Sequence, residues 1–241
     1  MPHPEVGWTW DDLLDAAARL TLRRGEIVER YGYVDNGSPA LLQLTHQAAG
    51  GLIETEHEIQ RARLAEPEVA HAVRWYADLV REHAVMPDPG QDSGTLHRVV
   101  YDESPAMWTG GSWEWNNFRD KAGVVPLPER DGAAAATLQV RGYLISAGTA
   151  YPQEAWRWIE WLTHQPPSRY SSGAPARRSV AEATDHWAGR DEALAAAFTY
   201  NLEHAVDYPG YLLAALSRAL QAALQGGSVE DALDEGQAQV N

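Results

Sequence analysis

The sequence contains no cysteine among its 241 residues. This absence excludes disulfide bonds, thiolate metal sites, a cysteine nucleophile and a lipid-modified N-terminal cysteine on this chain. Basic residues are also scarce, because 19 Lys and Arg stand against 34 Asp and Glu and give a formal net charge of -15. A phosphate backbone or an anionic membrane surface would be repelled by such a charge, so we expect no nucleic-acid partner.

Long apolar runs are missing as well. No segment approaches the eighteen or so consecutive apolar residues of a membrane-spanning helix, and the N-terminus, MPHPEVGWTWDD, has no basic region followed by an apolar one. The chain as written is therefore expected to be soluble and to carry no export signal. Its hydrophobic content of 44% is enough for one large domain or two small ones with a real core.

Catalytic and metal-binding motifs are absent from the sequence. His57 and Glu58 begin as a zinc-binding helix would, but Arg61 stands where the second histidine ligand is needed. Acidic neighbours such as Asp102 and Glu103 are more typical of a solvated surface than of a glycosidase pair. We therefore predict no catalytic residues, no metal ligands and no cofactor.

Tryptophan is the residue in excess, with ten Trp against two Phe. Three of them lie within ten residues, in the segment AMWTGGSWEW at 106–115. Indole rings fill cores, but they also form flat platforms on which the C–H faces of sugars pack. Gly110 and Gly111 would let the backbone approach a ligand, and Glu114, Asn116 and Asn117 would orient its hydroxyls. The segment alone leaves both interpretations open.

Strand and helix patterns alternate along the chain, which predicts an α/β fold. The predicted helices open at Thr9 and Pro152 or span 41–49, 66–85 and, in two or three pieces broken at Pro209-Gly210 and Gly226-Gly227, 194–239. Short strands are predicted at 29–34, 123–128 and 140–146, each ended by turn residues or prolines.

The order of several segments resembles the extracellular solute-binding proteins of bacterial ABC importers, the family of the maltose-binding protein. The segments that carry the resemblance are Trp8 to Leu14, Glu66 to Pro87, Ala106 to Trp113, Tyr143 to Trp156, Gly173 to Arg177 and Gly227 to Leu233. They cover nearly the whole chain in family order. The resemblance implies a two-lobed periplasmic-binding-protein fold of type II.

Family members are typically longer, and this chain resembles only their latter part. The resemblance therefore implies that most of the first lobe is missing. It assigns 1–145 and 190–241 to the C-terminal lobe and 146–189 to a partial N-terminal-lobe segment. The helix of that segment would lack its sheet partners, so we expect Trp156, Trp158 and Trp161 to be exposed.

The function that the resemblance implies is substrate binding for an ABC importer, outside the cytoplasm, with a carbohydrate held between the lobes and permease subunits as partners. Trp113 is the residue expected to stack on the ligand. The other expected ligand-binding residues are Trp115, Trp108, Gly111, Asn36, Ser38, Arg141, Gly142, Tyr208 and Tyr211.

Two alternatives remain at this point. In the first, the chain is an interaction module that pairs with a separate N-terminal-lobe polypeptide. In the second, it is a non-functional remnant. A carbohydrate-active enzyme is disfavoured because the sequence offers no acid–base motif. The sequence does not identify the sugar.

Overall fold

The computed structural model describes residues 3–35, 39–57, 59–90, 105–112, 118, 121–138, 142–166, 174–186 and 191–240. The chain divides into two compact units. Unit 1 consists of residues 1–110, 126–137 and 201–241, and unit 2 of residues 111–125 and 138–200. Among the helices that the structure describes, none combines the length and the apolar character that a membrane crossing requires.

The first helix, α1, spans Trp10–Leu20 and begins where the sequence predicts. The hydroxyl of Thr9 accepts a hydrogen bond from the Asp12 amide, and the Asp12 carboxylate accepts one from the Thr9 amide. This reciprocal pair is a capping box, which satisfies two amides that the first helical turn leaves free. Leu13 and Ala17 are buried on the inner face of the helix.

Four short strands of unit 1 form two parallel pairs. Strand β3 (Tyr33–Asp35) pairs with β6 (Met107–Thr109), and β7 (Ala136–Thr137) pairs with β8 (Ala205–Val206). The remaining strands form two antiparallel hairpins, β1–β2 (Leu22–Arg24 and Ile27–Arg30) and β4–β5 (Ile53–Glu56 and Ile59–Ala62).

The core of unit 1 is made by helices. Helix α2 (Pro39–Ala49) packs on α3 (Pro67–Arg81), α3 packs on α7 (Gly210–Leu224), and α7 packs on α8 (Val229–Val240). Leu41, Val73, Tyr76 and Leu216 are completely buried among them. Gly236 allows α8 to approach α7 closely, since a Cβ there would lie 3.0 Å from the Ala215 methyl group.

Unit 2 contains α4 (Pro152–Thr163), α5 (Arg178–Ala183) and most of α6 (Glu192–Glu203). No residue of α4 is buried. Trp156, Trp158 and Trp161 are 55%, 58% and 52% exposed, as the sequence predicts. The rings of Trp158 and Trp161 stack on each other with their centroids 4.9 Å apart.

Three strand predictions were wrong in part. The predicted strand 29–34 is divided between β2 and β3, because Gly32 interrupts it. Residues 123–128 form no strand; Pro126 and Pro128 have no amide to donate and instead accept hydrogen bonds from the Trp8 indole and the Gln47 amide. In the predicted strand 140–146, the described residues 142–146 are irregular and exposed, since none of them has a strand partner.

Candidate functional site

The carboxyl ends of β3 and β6 lie side by side. Because the two strands are parallel, Asp35 at the end of β3 stands in register with Thr109 at the end of β6. Asn36 and Ser38 follow β3 along the chain, while Gly111, Trp113 and Trp115 follow β6. The carboxyl edge of a parallel sheet is the usual place for ligands in open α/β folds. Two groups of predicted site residues therefore follow neighbouring strand ends.

Asp35 is buried, with 1% of its surface exposed. Its carboxylate accepts a hydrogen bond from the Tyr76 hydroxyl at 2.7 Å and from the Ala40 amide at 3.2 Å. The Leu41 amide and the Thr109 hydroxyl also act to lower its pKa. Burial raises the pKa of Asp35 to about 6, against the opposing effect of these donors. The side chain thus links the end of β3 to α2 and α3.

Tyr33 extends this network from the start of β3. Its hydroxyl lies 2.5 Å from the Thr109 hydroxyl. Either hydroxyl of this pair can be the donor. Burial is the main reason that the pKa of Tyr33 is raised well above its ordinary value, and the nearby Asp35 charge adds to it. Tyr33 is therefore a neutral phenol.

The remaining predicted site residues follow the strands of the second parallel pair, β7 and β8. Arg141 and Gly142 follow the carboxyl end of β7, and Tyr208 and Tyr211 follow that of β8. Helix α2 contacts this pair through Gln43, whose side-chain amide lies 3.1 Å from the Thr137 hydroxyl. With the amide group turned over, its nitrogen donates to the Ala135 carbonyl and its oxygen accepts from Thr137.

Tyr208 and Tyr211 differ in their surroundings. The Tyr208 ring meets the edge of His46 with the centroids 5.5 Å apart, and its hydroxyl is buried without a hydrogen-bond partner among the described residues. Burial raises the pKa of Tyr208 and lowers that of His46. An open pocket of about 190 Å³ lies beside these two rings and is also lined by Leu52 and Val206. Tyr211 instead lies in the first turn of α7 and is 42% exposed.

The other described site residues lie as follows. Trp108 is half-buried within β6, between Met107, which packs against the core, and the buried Thr109. Gly111 is half-buried, and Gly142 is exposed with open space where a side chain would project. The predictions for Asn36, Ser38, Trp113, Trp115 and Arg141 concern residues outside the described ranges, so they stay predictions.

Sequence reasoning missed the network of Tyr33, Asp35, Tyr76 and Thr109. One signal was available, because Asp35 ends a strand and precedes a helix that starts at Pro39, a place where an acid caps free amides. The contributions of Tyr76 and Thr109 depend on contacts between residues 41 to 76 positions apart in sequence. No local pattern reveals those contacts.

The site has the chemistry of binding. Within the described residues, no group of three or more His, Asp or Glu side chains is placed to hold a metal ion. Asp35, the one described carboxyl whose pKa is raised to near neutrality, is enclosed by donors and held away from solvent. Polar groups and aromatic rings such as that of Tyr211, which is 42% exposed, are suited to hold a polar solute.

Comparison with known families places the chain among binding proteins. The sequence profile described as bacterial extracellular solute-binding protein matches residues 2–196. A comparison with curated protein sequences gave no match.

Solved structures of substrate-binding proteins share the fold. A solute-binding protein of an ABC transporter from Thermotoga lettingae, bound with α-D-tagatose, has a TM-score of 0.73 and 23% identity over 99% of this chain and 64% of its own. A Listeria monocytogenes substrate-binding protein in complex with cycloalternan has a TM-score of 0.71 and 17% identity, over 100% and 65%. One from Agrobacterium radiobacter, in complex with ribitol, has a TM-score of 0.65 and 21% identity, also over 100% and 65%.

These relatives are substrate-binding proteins, not enzymes. The present chain spans just under two thirds of their length.

Proposed function

Because this chain belongs to the bacterial extracellular solute-binding proteins, we propose that it is the substrate-binding component of an ABC importer and that its solute is a carbohydrate. Its fold is that of the type II periplasmic binding proteins. The observation that carries the proposal is that nine of the ten predicted ligand residues follow the carboxyl ends of paired parallel strands, and the tenth, Trp108, lies within one of these strands. Structural relatives with tagatose, cycloalternan and ribitol support a polyhydroxylated solute.

Each part of the proposed site has a physical role. Trp113 stacks on a sugar ring, with Trp108, Trp115 and the Gly111 backbone close by. The polar groups of Asn36, Ser38 and Arg141 and the Gly142 backbone bind hydroxyls. Of the two tyrosines, Tyr211 is the better candidate for a second stacking surface. Its ring is 42% exposed, whereas Tyr208 is packed on His46.

The proposed organisation follows the family. Proteins of this kind bind sugars and work with ABC permeases, outside the cytoplasm. We assign 1–145 and 190–241 to the second lobe and 146–189 to the first, with the solute between them. Hinge closure around the solute would create the surface that the permease subunits recognise.

Titration calorimetry of the chain with D-tagatose, ribitol and cycloalternan tests this function. The chain spans 64% of the tagatose-binding relative, so we expect less enclosure of the solute and dissociation constants on the order of millimolar. Loss of the heat signal in Trp113→Ala, with retention in the surface variant Trp158→Ser, supports the site. Absence of any signal for the whole panel and for further mono- and oligosaccharides contradicts a carbohydrate function.

An interaction role is the second candidate, and the aromatic face of α4 is the observation that favours it. Trp156, Trp158 and Trp161 are all more than half exposed, and neighbouring Tyr151 is 69% exposed. A protein surface rarely carries so much exposed aromatic area without a partner. The comparisons give no support to a separate first-lobe polypeptide, so this candidate depends on the surface alone.

Tryptophan fluorescence distinguishes this role from solute binding. Addition of a polypeptide that comprises the first lobe of a relative should shift the emission to shorter wavelength if it covers α4. A triple change of Trp156, Trp158 and Trp161 to Ser should remove the shift. An unchanged spectrum at saturating polypeptide would contradict the interaction role.

A further inference from the structure

Asp35 stands at a junction that the proposed solute residues do not include. Its side chain accepts hydrogen bonds from the first turn of α2, through the Ala40 amide, and from α3, through the Tyr76 hydroxyl. Asp35 itself ends β3, in register with Thr109 at the end of β6. Both strands of the parallel pair end here, β3 at Asp35 and β6 at Thr109. A shift of this carboxyl would therefore move the starting points of both loops.

Satisfying a buried carboxylate requires several donors, and the site supplies them. The Ala40 amide and the Tyr76 hydroxyl donate to Asp35, and the Thr109 hydroxyl beside it is bonded to Tyr33. Polar groups that are buried and fully paired fix one geometry, because any displacement leaves a charge or a donor unsatisfied. The surrounding residues Tyr33, Tyr76 and Leu41 are also buried, so water does not replace the lost partners.

We propose that Asp35 is a positioning residue for the solute site: its carboxyl ties the end of β3 to α2 and α3 and so fixes where the paired strands β3 and β6 end. The proposal rests on the proposed function for its biological meaning. The claim that Asp35 fixes the strand ends rests on the contacts alone, and it is tested without a solute.

The pH dependence of the junction follows from its chemistry. The titratable groups that face Asp35 are the phenols of Tyr33 on β3 and Tyr76 on α3, while α2 and β6 present amides and a hydroxyl. The raised pKa of Tyr33 keeps its phenol neutral near pH 7. Opening of the junction would expose the carboxyl and return its pKa from about 6 to about 3.8. Opening is therefore easier when Asp35 is ionised, and the junction is tighter in mild acid.

Amide hydrogen exchange on the full chain tests this prediction. After division by intrinsic exchange rates, protection of the amides in 39–42 and 107–112 should be about tenfold higher at pH 5 than at pH 7. Asp35→Asn should remove this difference. Tyr76→Phe takes one donor from the ionised carboxylate, so it should move the midpoint of the pH profile upward and keep the difference.

The control is Asp15→Asn, the same substitution at a carboxylate whose side chain is 73% exposed. It should leave the profile unchanged. A purely structural role for Asp35 predicts another result, in which Asp35→Asn raises exchange equally at both pH values and spreads it to α7 and α8. That result, or a midpoint that does not move in Tyr76→Phe, overturns the proposal.

Solute binding supplies the second measurement. For any sugar of the panel that binds, affinity in the wild type should change between pH 5 and 7, and affinity in Asp35→Asn should not. If no sugar binds, the proposed function fails while the exchange experiment still decides the positioning role. If a sugar binds with the same pH profile in both proteins, the positioning role fails and the function stands.

Discussion

Tryptophan serves two purposes at the scale of single residues. Trp10 is 5% exposed, donates from its indole nitrogen to Gln47 at 2.8 Å and lies under the Arg130 guanidinium. Trp8 is also anchored, by a 2.8 Å hydrogen bond to the Pro126 carbonyl. The three tryptophans of α4 have more than half of their surface exposed. Residue type alone therefore does not distinguish a core tryptophan from a surface one in this chain.

Trp113→Ala tests which purpose Trp113 serves. Truncation of a core tryptophan to alanine would lower the free energy of unfolding by about 3–5 kcal/mol. We expect instead that Trp113→Ala leaves the melting temperature nearly unchanged and abolishes sugar binding, because a stacking ring contacts the solute and little else. Trp10→Ala is the matched control and should show the full core penalty. A large loss of stability in Trp113→Ala with binding retained would contradict the stacking role.

Asp35 should make the stability of the protein depend on pH. Its folded pKa, about 6, lies above the ordinary value of 3.8, so the folded chain holds this proton over a range in which the unfolded chain releases it. The stabilisation that protonated Asp35 gives the folded state is present below about pH 4 and is lost as the pH rises through 6. Between pH 4 and 7.5 we expect the wild type to lose about 2 kcal/mol relative to Asp35→Asn.

Urea denaturation of both proteins at several pH values measures this difference. Taking the difference between them removes the titration of every other carboxyl, provided that the two proteins share the same unfolded state. Parallel pH profiles for the wild type and Asp35→Asn would contradict the raised pKa.

At the scale of secondary structure elements, Gly32 joins α1 to the parallel pair. Its amide donates to the Thr21 hydroxyl at 3.0 Å and its carbonyl accepts from the Met107 amide at 3.0 Å. A Cβ on Gly32 would lie 2.0 Å from the Ala17 carbonyl oxygen. This contact is with helix backbone, which has no flexible end that can move away. The position therefore requires glycine because of packing.

Gly32→Ala should lower the free energy of unfolding by about 1–3 kcal/mol, because α1 has to move away from β3. Gly210→Ala is the control, since it lies at the first position of α7 with nothing within 4 Å of the added methyl group. It should be neutral or stabilising by less than about 1 kcal/mol. Chemical denaturation of the two variants measures both values, and equal effects would contradict the packing argument.

Helices were easier to predict from this sequence than strands. The caps and apolar spacing of α1 place its start correctly, and Pro209-Gly210 and Gly226-Gly227 separate the last three helices as predicted. The strands have only two to four residues each, which is too short for a period of two to be visible. Residues 123–128 contain β-branched residues but lack a pairing partner, and partners are not visible in local sequence.

The site shows the same division. Its proposed ligand residues come from the family resemblance and from recognisable residues such as glycine and tryptophan, and they stay predictions. The Asp35 network was missed because it is built from common polar residues brought together by the fold. Its members come from β3, α3 and β6, which are separated by long stretches of chain.

At the scale of the whole molecule, charge is divided unequally between the two units. Residues 111–125 and 138–200, which form unit 2, contain eight basic and eight acidic residues. This leaves 11 basic and 26 acidic residues in unit 1, so unit 1 carries the entire formal charge of -15. Self-repulsion destabilises such a unit at low salt, while its field repels anionic solutes and leaves neutral ones unaffected.

The effect of sodium chloride on the dissociation constant therefore distinguishes a neutral solute from a charged one. Raising the ionic strength from about 0.01 M to about 0.15 M shortens the Debye length from about 30 Å to about 8 Å. The melting temperature should rise by about 2–4 °C because repulsion within unit 1 is screened. The dissociation constant of a neutral sugar should stay the same within the error of calorimetry, because no charge on the solute meets this field. An anionic sugar derivative should bind more tightly as salt is added, because screening weakens its repulsion by unit 1. A neutral sugar whose dissociation constant changes with salt would contradict this prediction.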